Sequence, residues 1–314
     1  MVISLKLLFS QLTPPSTDIK TKTQTRLMDK VKVLIEALPY IREFYNSYMV
    51  IKIGGKAMVS DRVLESVVKD VLLLYYVGIK PIVVHGGGPE ISEKMDKFGV
   101  KPKFIDGLRV TDEETMEIVE MVLDGKVNSK IVSMFIKHGG RAVGISCKDG
   151  LLIVAKKKLI KRRRGELEEV IDLGFVGETE HVNPEILKIL IDNGFIPVVS
   201  PIASDLSGNI YNVNADIVAG HIASAIRAKK LIILTDVPGI LRDPKDRNSL
   251  ISRIKSDELE GMMESFSGGM LPKVEAVLMA LRGGVERVHI IEGREHSILL
   301  EIFTREGIGT MVEP

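Results

Sequence analysis

Between residues 48 and 97 the chain alternates twice between a short apolar run ending in glycine and a longer stretch whose apolar residues recur at helical spacing. "YMVIKIGG" reads as a buried strand and "RVLESVVKDVLLLYYVG" as an amphipathic helix closed by Gly78. "KPIVVHGGG" is a second strand and "PEISEKMDKFG" a second helix, with Pro89 suited to its first turn. Strand, helix, strand, helix implies a parallel sheet with right-handed crossovers. The same alternation returns after residue 183, in "NPEILKILIDNGFIPVVSP", "ADIVAGHIASAIRA", "KLIILTDVPG", "GGMLPKVEAVLMALRGG" and "RVHIIEG". The chain therefore reads as two α/β halves with a division near residue 200, 28–200 and 201–314.

Between the halves the rhythm changes. "TDEETMEIVEMVLDGKVNSKIVSMFIKHGG" gives two helical stretches opened by Thr111 and the acids after it. "AVGISCKDGLLIVAKKK" and "DLGFVGETEHV" predict short strands of an inserted antiparallel layer, the first pair meeting in a hairpin at Asp149-Gly150. The basic run "KKKLIKRRRGELEE" has acids directly behind it and no interleaved aromatics, so a solvated loop is expected there rather than a nucleic-acid patch.

Charge and composition narrow the function. Lys plus Arg at 43 against Asp plus Glu at 42 leaves no excess to draw the chain to nucleic acid or an anionic membrane. No apolar run approaches the roughly 18 residues that cross a bilayer. The single cysteine, Cys147, allows neither an intrachain disulfide nor a cysteine-rich zinc site, which suits a reducing compartment. Residues 1–27 are rich in Ser, Thr and Lys and hold one acid, Asp18. They make a poor secretory signal, since Lys6 interrupts the apolar stretch; a transit peptide and an overcalled start at Met1, with Met28 the true one, stay open. Either way they are expected to lie outside the fold as a poorly ordered extension. The location expected is cytoplasmic, with organellar import left open. From Met28, "MDKVKVLIEALPYIREFY" spaces Val31, Leu34, Ile35, Leu38 and Ile41 as a helix that Pro39 should kink or break. Its apolar stripe packs on its own subunit or reaches another.

Glycines at the carboxyl end of a parallel strand let the backbone approach a ligand, and the helix that follows offers unpaired N–H groups. Gly87 and Gly88 thus read as a carboxylate- or phosphate-binding turn, or as a tight turn without a ligand. "GGKAM" lacks the upstream glycine and Ser/Thr of a P-loop, and no GxGxxG follows a strand. Lys52 sits in an otherwise apolar strand, where an unpaired lysine is costly unless the strand is an edge. Lys273 opens a helix behind Gly268 and Gly269. Asn212, Asn214 and Asp216 crowd one loop-to-helix junction, where Asp216 either complements the helix dipole or holds the two lysines. No metal-ligating cluster is legible.

Taken in order, "IKIGGKAM", "VVHGGGPEIS", "GLRVTDEETMEIVEMVLDGKVN", "VNADIVAGHIA", "LTDVPGIL" and "GGMLPKVEA" resemble the amino-acid kinase superfamily, and within it the N-acetyl-L-glutamate kinases of arginine biosynthesis. The resemblance covers roughly residues 28–314. It implies a three-layer αβα sandwich on a mainly parallel open central sheet, with an inserted β-hairpin layer. The first half would bind the acyl amino acid and the second MgATP. The reaction implied is phosphoryl transfer from ATP to the side-chain carboxylate. By the same resemblance Lys52, Lys273 and Asp216 are catalytic; Gly87, Gly88, Arg109 and Asn212 bind the acceptor; Gly54, Gly55, Thr235, Asp236 and Gly269 line the nucleotide. The amino-terminal helix is similar to that of arginine-inhibited, hexameric members, whose effector contacts correspond to His289, Glu301 and Gly307. Expected ligands are therefore ATP with Mg²⁺, N-acetyl-L-glutamate and inhibitory arginine, in a dimer or a hexamer joined through these helices. The rival acceptors are carrier-linked aminoadipate, aspartate or a nucleotide monophosphate, and the rival class is a catalytically silent arginine or nucleotide sensor.

Overall fold

The computed structural model describes residues 17–164, 167–304 and 307–314. The chain divides into two compact units, one up to Glu43 and one from Phe44 to Pro314. The described part of the first is the body of a single helix, α1 (Thr17–Phe44). It starts well before Met28, so residues 17–27 are helical; residues 1–16 are outside the described residues. It also runs on through Pro39, because the one missing N–H leaves the hydrogen-bond ladder intact on either side. Val31, Leu34, Ile35 and Leu38 are all exposed.

The second unit begins with β1 (Tyr48–Ile53), α2 (Lys56–Val59), α3 (Asp61–Tyr76), β2 (Lys80–His85) and α4 (Gly88–Lys97). Two-residue strands β3 (Phe104–Ile105) and β4 (Leu108–Arg109) precede α5 (Glu113–Glu120), a π-helical stretch Met121–Asn128 and α6 (Ser129–Lys137). Next come β5 (Ala142–Ser146), β6 (Ile153–Arg164), β7 (Leu167–Val182), α7 (Glu185–Asp192), β8 (Ile196–Ser200), β9 (Ile202–Ser204) and β10 (Ile210–Asn212). The remainder is α8 (Ala215–Ala225), β11 (Lys230–Thr235), β12 (Arg253–Lys255), α9 (Ser256–Gly261), α10 (Leu271–Arg282), β13 (Arg287–Glu292), α11 (Ser297–Ile302) and β14 (Thr310–Glu313).

Eight strands form one sheet in the order β12-β14-β13-β11-β1-β2-β8-β5, parallel throughout except where β13 meets β14. The expected boundary near residue 200 falls where the chain leaves β8, and this single sheet serves both sides of it. β1 lies inside the sheet, with Lys52 opposite Val84 of β2 and Ile233 of β11. Lys52 is therefore no edge residue. Side chains alternate across a strand, so Val50, Ile82, Val84 and Ile233 share one core with Val218, Ile222, Val274 and Val277 of α8 and α10. Lys52 points to that same face.

The inserted layer is larger than expected. β10, β7, β6 and β9 close a small barrel, and β6 pairs with β7 over a long antiparallel ladder. Asp149 and Gly150 do make a turn: Asp149 accepts from the Ser146 N–H at 2.7 Å, and Gly150 has φ +59°. The turn does not form the expected hairpin, because β5 pairs with β8 in the main sheet and β6 departs to the barrel. The basic run is strand, not loop. Register sets Arg162 opposite Glu169 and Arg163 opposite Glu168, and Lys157 reaches Asp172 at 2.7 Å. In register, then, the acids behind the basic run lie across the ladder from it. Helix α5 starts one residue later than expected, capped by Asp112, whose Oδ1 accepts from the Thr115 N–H at 2.9 Å.

Candidate active site

The carboxyl ends of β1 and β2 open onto a cavity of about 200 Å³ lined by Lys52, Gly87, Gly88, Arg109, Asn212 and Asp216 among others. Asp216 enters from the first turn of α8. Asn214 caps that helix, its Oδ1 accepting from the N–H groups of Asp216 and Ile217 at 2.9 and 3.2 Å. Asn214 is thereby committed to the cap, which fixes where Asp216 points. The Asp216 carboxylate bridges two cations, with Oδ1 2.8 Å from Lys52 Nζ and Oδ2 2.9 Å from Lys273 Nζ. Of the two readings of Asp216, the bridge is the one realised.

Electrostatics follow from the bridge. Burial pushes the Asp216 carboxyl up, but the two ammonium groups outweigh it and hold the group below the usual carboxylate range. Burial, helped by the charge of Lys273, pulls Lys52 below its ordinary value against the attraction of Asp216. Two cations share the carboxylate of Asp216, and Asp236 adds a weaker attraction on Lys52. Two buried ammonium groups beside a cavity offer a place for an anion.

Around the bridge, each bare glycine has its own reason. A Cβ on Gly54 would run into Lys52 Nζ. Gly55, at φ +59°, lies so close to β11 that a Cβ would stand 2.8 Å from the Asp236 nitrogen. This draws Gly55 against Thr235 and Asp236, and the Thr235 hydroxyl donates to Asp236 Oδ1 at 3.1 Å. Gly55 and Asp236 also border a neighbouring cavity of about 620 Å³, together with Gly293 and Arg294. A Cβ on Gly87 would press on Leu123, whereas one on Gly88 would meet nothing within 4 Å. Gly88 is open because it faces the cavity, not because a neighbour crowds it. Gly269 is exposed in the turn before α10, which carries Lys273.

Arg109, also buried, is part of the same lining. Its guanidinium donates to the Gly88 carbonyl at 3.0 Å, to Ser92 Oγ at 2.8 Å and towards Met95 Sδ at 3.1 Å, and it stacks over the Phe104 ring. Among the described residues it has no carboxylate partner. A buried cation left without an anion is a place for a ligand's carboxylate. Asn212 stands near Thr111, 3.4 Å from its hydroxyl.

His289, Glu301 and Gly307 come together away from this cavity. His289 Nδ1 lies 2.6 Å from Glu301 Oε1, and Lys230 Nζ lies 2.9 Å from His289 Nε2. Glu301 Oε2 accepts from the N–H groups of Ile308 and Gly309 at 2.6 and 3.1 Å, and a Cβ on Gly307 would come within 2.9 Å of it. Burial lowers the His289 pKa; burial raises that of Glu301, but His289 and the two N–H groups bring it below the ordinary value.

Sequence reading missed several residues here: Phe104 over Arg109, Leu123 against Gly87, and a buried contact between Asn128 and His85 at 3.1 Å. The last two come from the π-helical stretch, which leaves no signature in the pattern of apolar residues.

Known proteins match this architecture over most of its length. The sequence profile of the amino acid kinase family matches residues 47–292. The acetylglutamate kinase of Archaeoglobus fulgidus is 70% identical over 290 residues, covering 91% of this chain and 100% of that protein. That of Methanococcoides burtonii is 58% identical over 284 residues, covering 89% and 93%. Among solved structures, N-acetylglutamate synthase from Neisseria gonorrhoeae complexed with coenzyme A and N-acetyl-glutamate superposes with a TM-score of 0.78 at 27% identity, covering 90% of this chain and 63% of that one. The same synthase with coenzyme A and L-arginine gives 0.75 at 25% identity, covering 90% and 65%.

Proposed function

The chain belongs to the amino acid kinase family, and from that premise we propose that it transfers the terminal phosphoryl group of ATP to the side-chain carboxylate of N-acetyl-L-glutamate, a step of arginine biosynthesis. The observation that carries this reading is the Lys52–Asp216–Lys273 bridge on a cavity also lined by a buried Arg109 that has no carboxylate partner among the described residues.

Arg109 pairs with the acceptor's own α-carboxylate and so directs its side chain towards Lys52. A side-chain carboxylate has a pKa near 4.3, so at neutral pH it is already ionised and needs no general base. Its oxygen forms a bond to the γ-phosphorus as the bond to the β–γ bridging oxygen breaks, and ADP leaves with that electron pair. Little covalent assistance is needed; alignment and positive charge on the phosphoryl oxygens are. Lys52 and the N–H groups of Gly55, Gly87 and Gly88 supply donors to those oxygens. Lys273 takes the leaving side, and Asp216 keeps both ammonium groups in register. Asn212 contacts the acceptor, while Gly54, Thr235, Asp236 and Gly269 border the nucleotide. Among the described residues no group of three or more His, Cys, Asp or Glu is placed to hold a metal. Mg²⁺ would accompany the ATP phosphates, where it would neutralise charge. Such an enzyme would work in the cytoplasm; no described helix is long and apolar enough to cross a membrane.

A coupled assay of ADP release tests the reading across N-acetylglutamate, aspartate, carrier-linked aminoadipate and a nucleotide monophosphate. Turnover with N-acetylglutamate above the others is expected, and preference for another acceptor, or none at all, overturns it. Arginine feedback and assembly beyond a dimer belong to the same proposal, supported by the grouping of His289, Glu301 and Gly307 and by the exposed apolar stripe of α1. Saturating arginine should lower the initial rate, and removing residues 1–45 should shrink the particle measured by light scattering.

A further inference from the structure

Between β2 and α4 lies a peptide unit flanked by glycine on both sides, Gly86–Gly87. Glycine neighbours let such a unit rotate between orientations at little cost. In a trans peptide the carbonyl and the N–H point opposite ways, so whatever holds the Gly86 carbonyl also aims the Gly87 N–H. The unit before it is already tied, since the Gly86 N–H donates to the Ile53 carbonyl at 3.0 Å.

The holder is His85, fully buried at the end of β2. Its Nδ1 lies 2.9 Å from the Gly86 carbonyl oxygen. Asn128 sets the tautomer from the other side. Asn128 Nδ2 lies 2.9 Å from the Val198 carbonyl and 3.4 Å from that of Ile145, so this atom is the amide nitrogen and donates. The same nitrogen is 3.1 Å from His85 Nε2, which therefore accepts. The one ring proton is left on Nδ1, facing Gly86. Burial pulls the His85 pKa down to about 4, which keeps the ring neutral near pH 7.

Room is kept for this arrangement. A Cβ on Gly144 of β5 would strike the Asn128 side chain, so that strand position stays bare. Asn128 ends the π-helical stretch, and Leu123 of the same stretch lies against Gly87. Alternation along β2 puts Ile82 and Val84 on the α8 side and His85 on the opposite face. A carbonyl held on the His85 side leaves the Gly87 N–H aimed towards the cavity that Gly86, Gly87 and Lys52 line.

We propose that His85, fixed in its Nδ1-protonated form by Asn128, is a positioning residue for phosphoryl transfer, which holds the Gly86–Gly87 peptide so that the Gly87 N–H meets the reacting oxygens. The proposal rests on the reading of that cavity as the acceptor and phosphoryl site. A peptide turned the other way would present a carbonyl oxygen to an anion, so loss of the holder slows the transfer step more than it weakens ATP binding.

Three variants of the full chain separate this role from mere packing. His85→Leu removes both ring contacts, His85→Asn keeps an amide donor near the Nδ1 position, and His85→Gln keeps one near Nε2. ADP release should give a kcat about 100-fold lower for His85→Leu, the scale on which small misplacement acts, with the KM for ATP nearly constant. Roughly tenfold of that loss should return in His85→Asn and none in His85→Gln. A folded His85→Leu with native kcat, or equal losses in all three, overturns the proposal. If the variants do not fold, ¹⁵N-histidine NMR of the native chain decides: a bare Nε2 with a proton on Nδ1 supports it, and the reverse tautomer overturns it. A native chain that releases no ADP with N-acetylglutamate would instead sink the acceptor reading. The tautomer and the order of the variants are read with whichever acceptor turns over.

Discussion

Two buried clusters of charged groups hang from the same sheet, and they differ in what their remaining hydrogen-bonding capacity faces. At the end of β1 two ammonium groups share the single carboxylate of Asp216 beside an open cavity. On β13 and α11 the Glu301 carboxylate is engaged by His289 and by the N–H groups of Ile308 and Gly309, with Lys230 on the far side of the imidazole. Both carboxyls sit below their ordinary pKa, so the direction of the shift does not separate them. Unspent positive charge next to open space does. The first cluster is built to receive an anion; the second ties the 307–309 loop to the sheet and so shapes the place proposed for arginine.

The sharpest way to break that contrast is Lys52→Ala. Asp216 keeps Lys273 as a partner, so folding should persist while the donor to the phosphoryl oxygens is lost. Turnover should fall about 100- to 1000-fold in a steady-state ADP assay, the range seen when one preorganised donor is removed. A Lys52→Ala chain with near-native kcat would show the bridge to be structural only.

Glu301→Ala should act in the opposite currency. It leaves the N–H groups of Ile308 and Gly309 and the imidazole of His289 without their acceptor in a buried place. Removing one member of a buried pair costs about 3 kcal/mol or more, to be read from urea unfolding. Stability within about 0.5 kcal/mol of the native chain would mean that the loop does not depend on this carboxylate.

Legibility of the two clusters was uneven, for a physical reason. Lys52 announces itself, because a lysine amid Ile and Val in a strand needs a partner. Its link to Lys273 through Asp216 joins three distant parts of the chain, and spacing alone left Asp216 open between dipole and bridge. The strand–helix alternation carried the parallel sheet correctly because each unit is local. The Asp149-Gly150 turn is legible but the pairing of its strands is not, since turn chemistry is local and the choice between β6 and β8 as the partner of β5 is not. The π-helical stretch was invisible: Val122, Leu123 and Val127 are buried there without any change in composition that marks the wider turn. With it went the Asn128–His85 contact.

The finest distinction falls on a single methyl group. Gly88 stands at the first position of α4, faces the cavity and has nothing within 4 Å of where a Cβ would be. Its φ is not in the left-handed region, but Pro89 follows it, and a proline crowds a Cβ on the residue before it in helical backbone. That crowding offsets the roughly 0.5–1 kcal/mol that alanine gains over a helical glycine. Gly88→Ala should therefore unfold at nearly the same urea as the native chain while kcat/KM for N-acetylglutamate falls roughly tenfold, because the methyl occupies space the acceptor and phosphoryl group need. A large loss of stability would return Gly88 to the role of a tight turn. Unchanged stability with full activity would move the reacting atoms away from this glycine and towards Lys52 and Gly55.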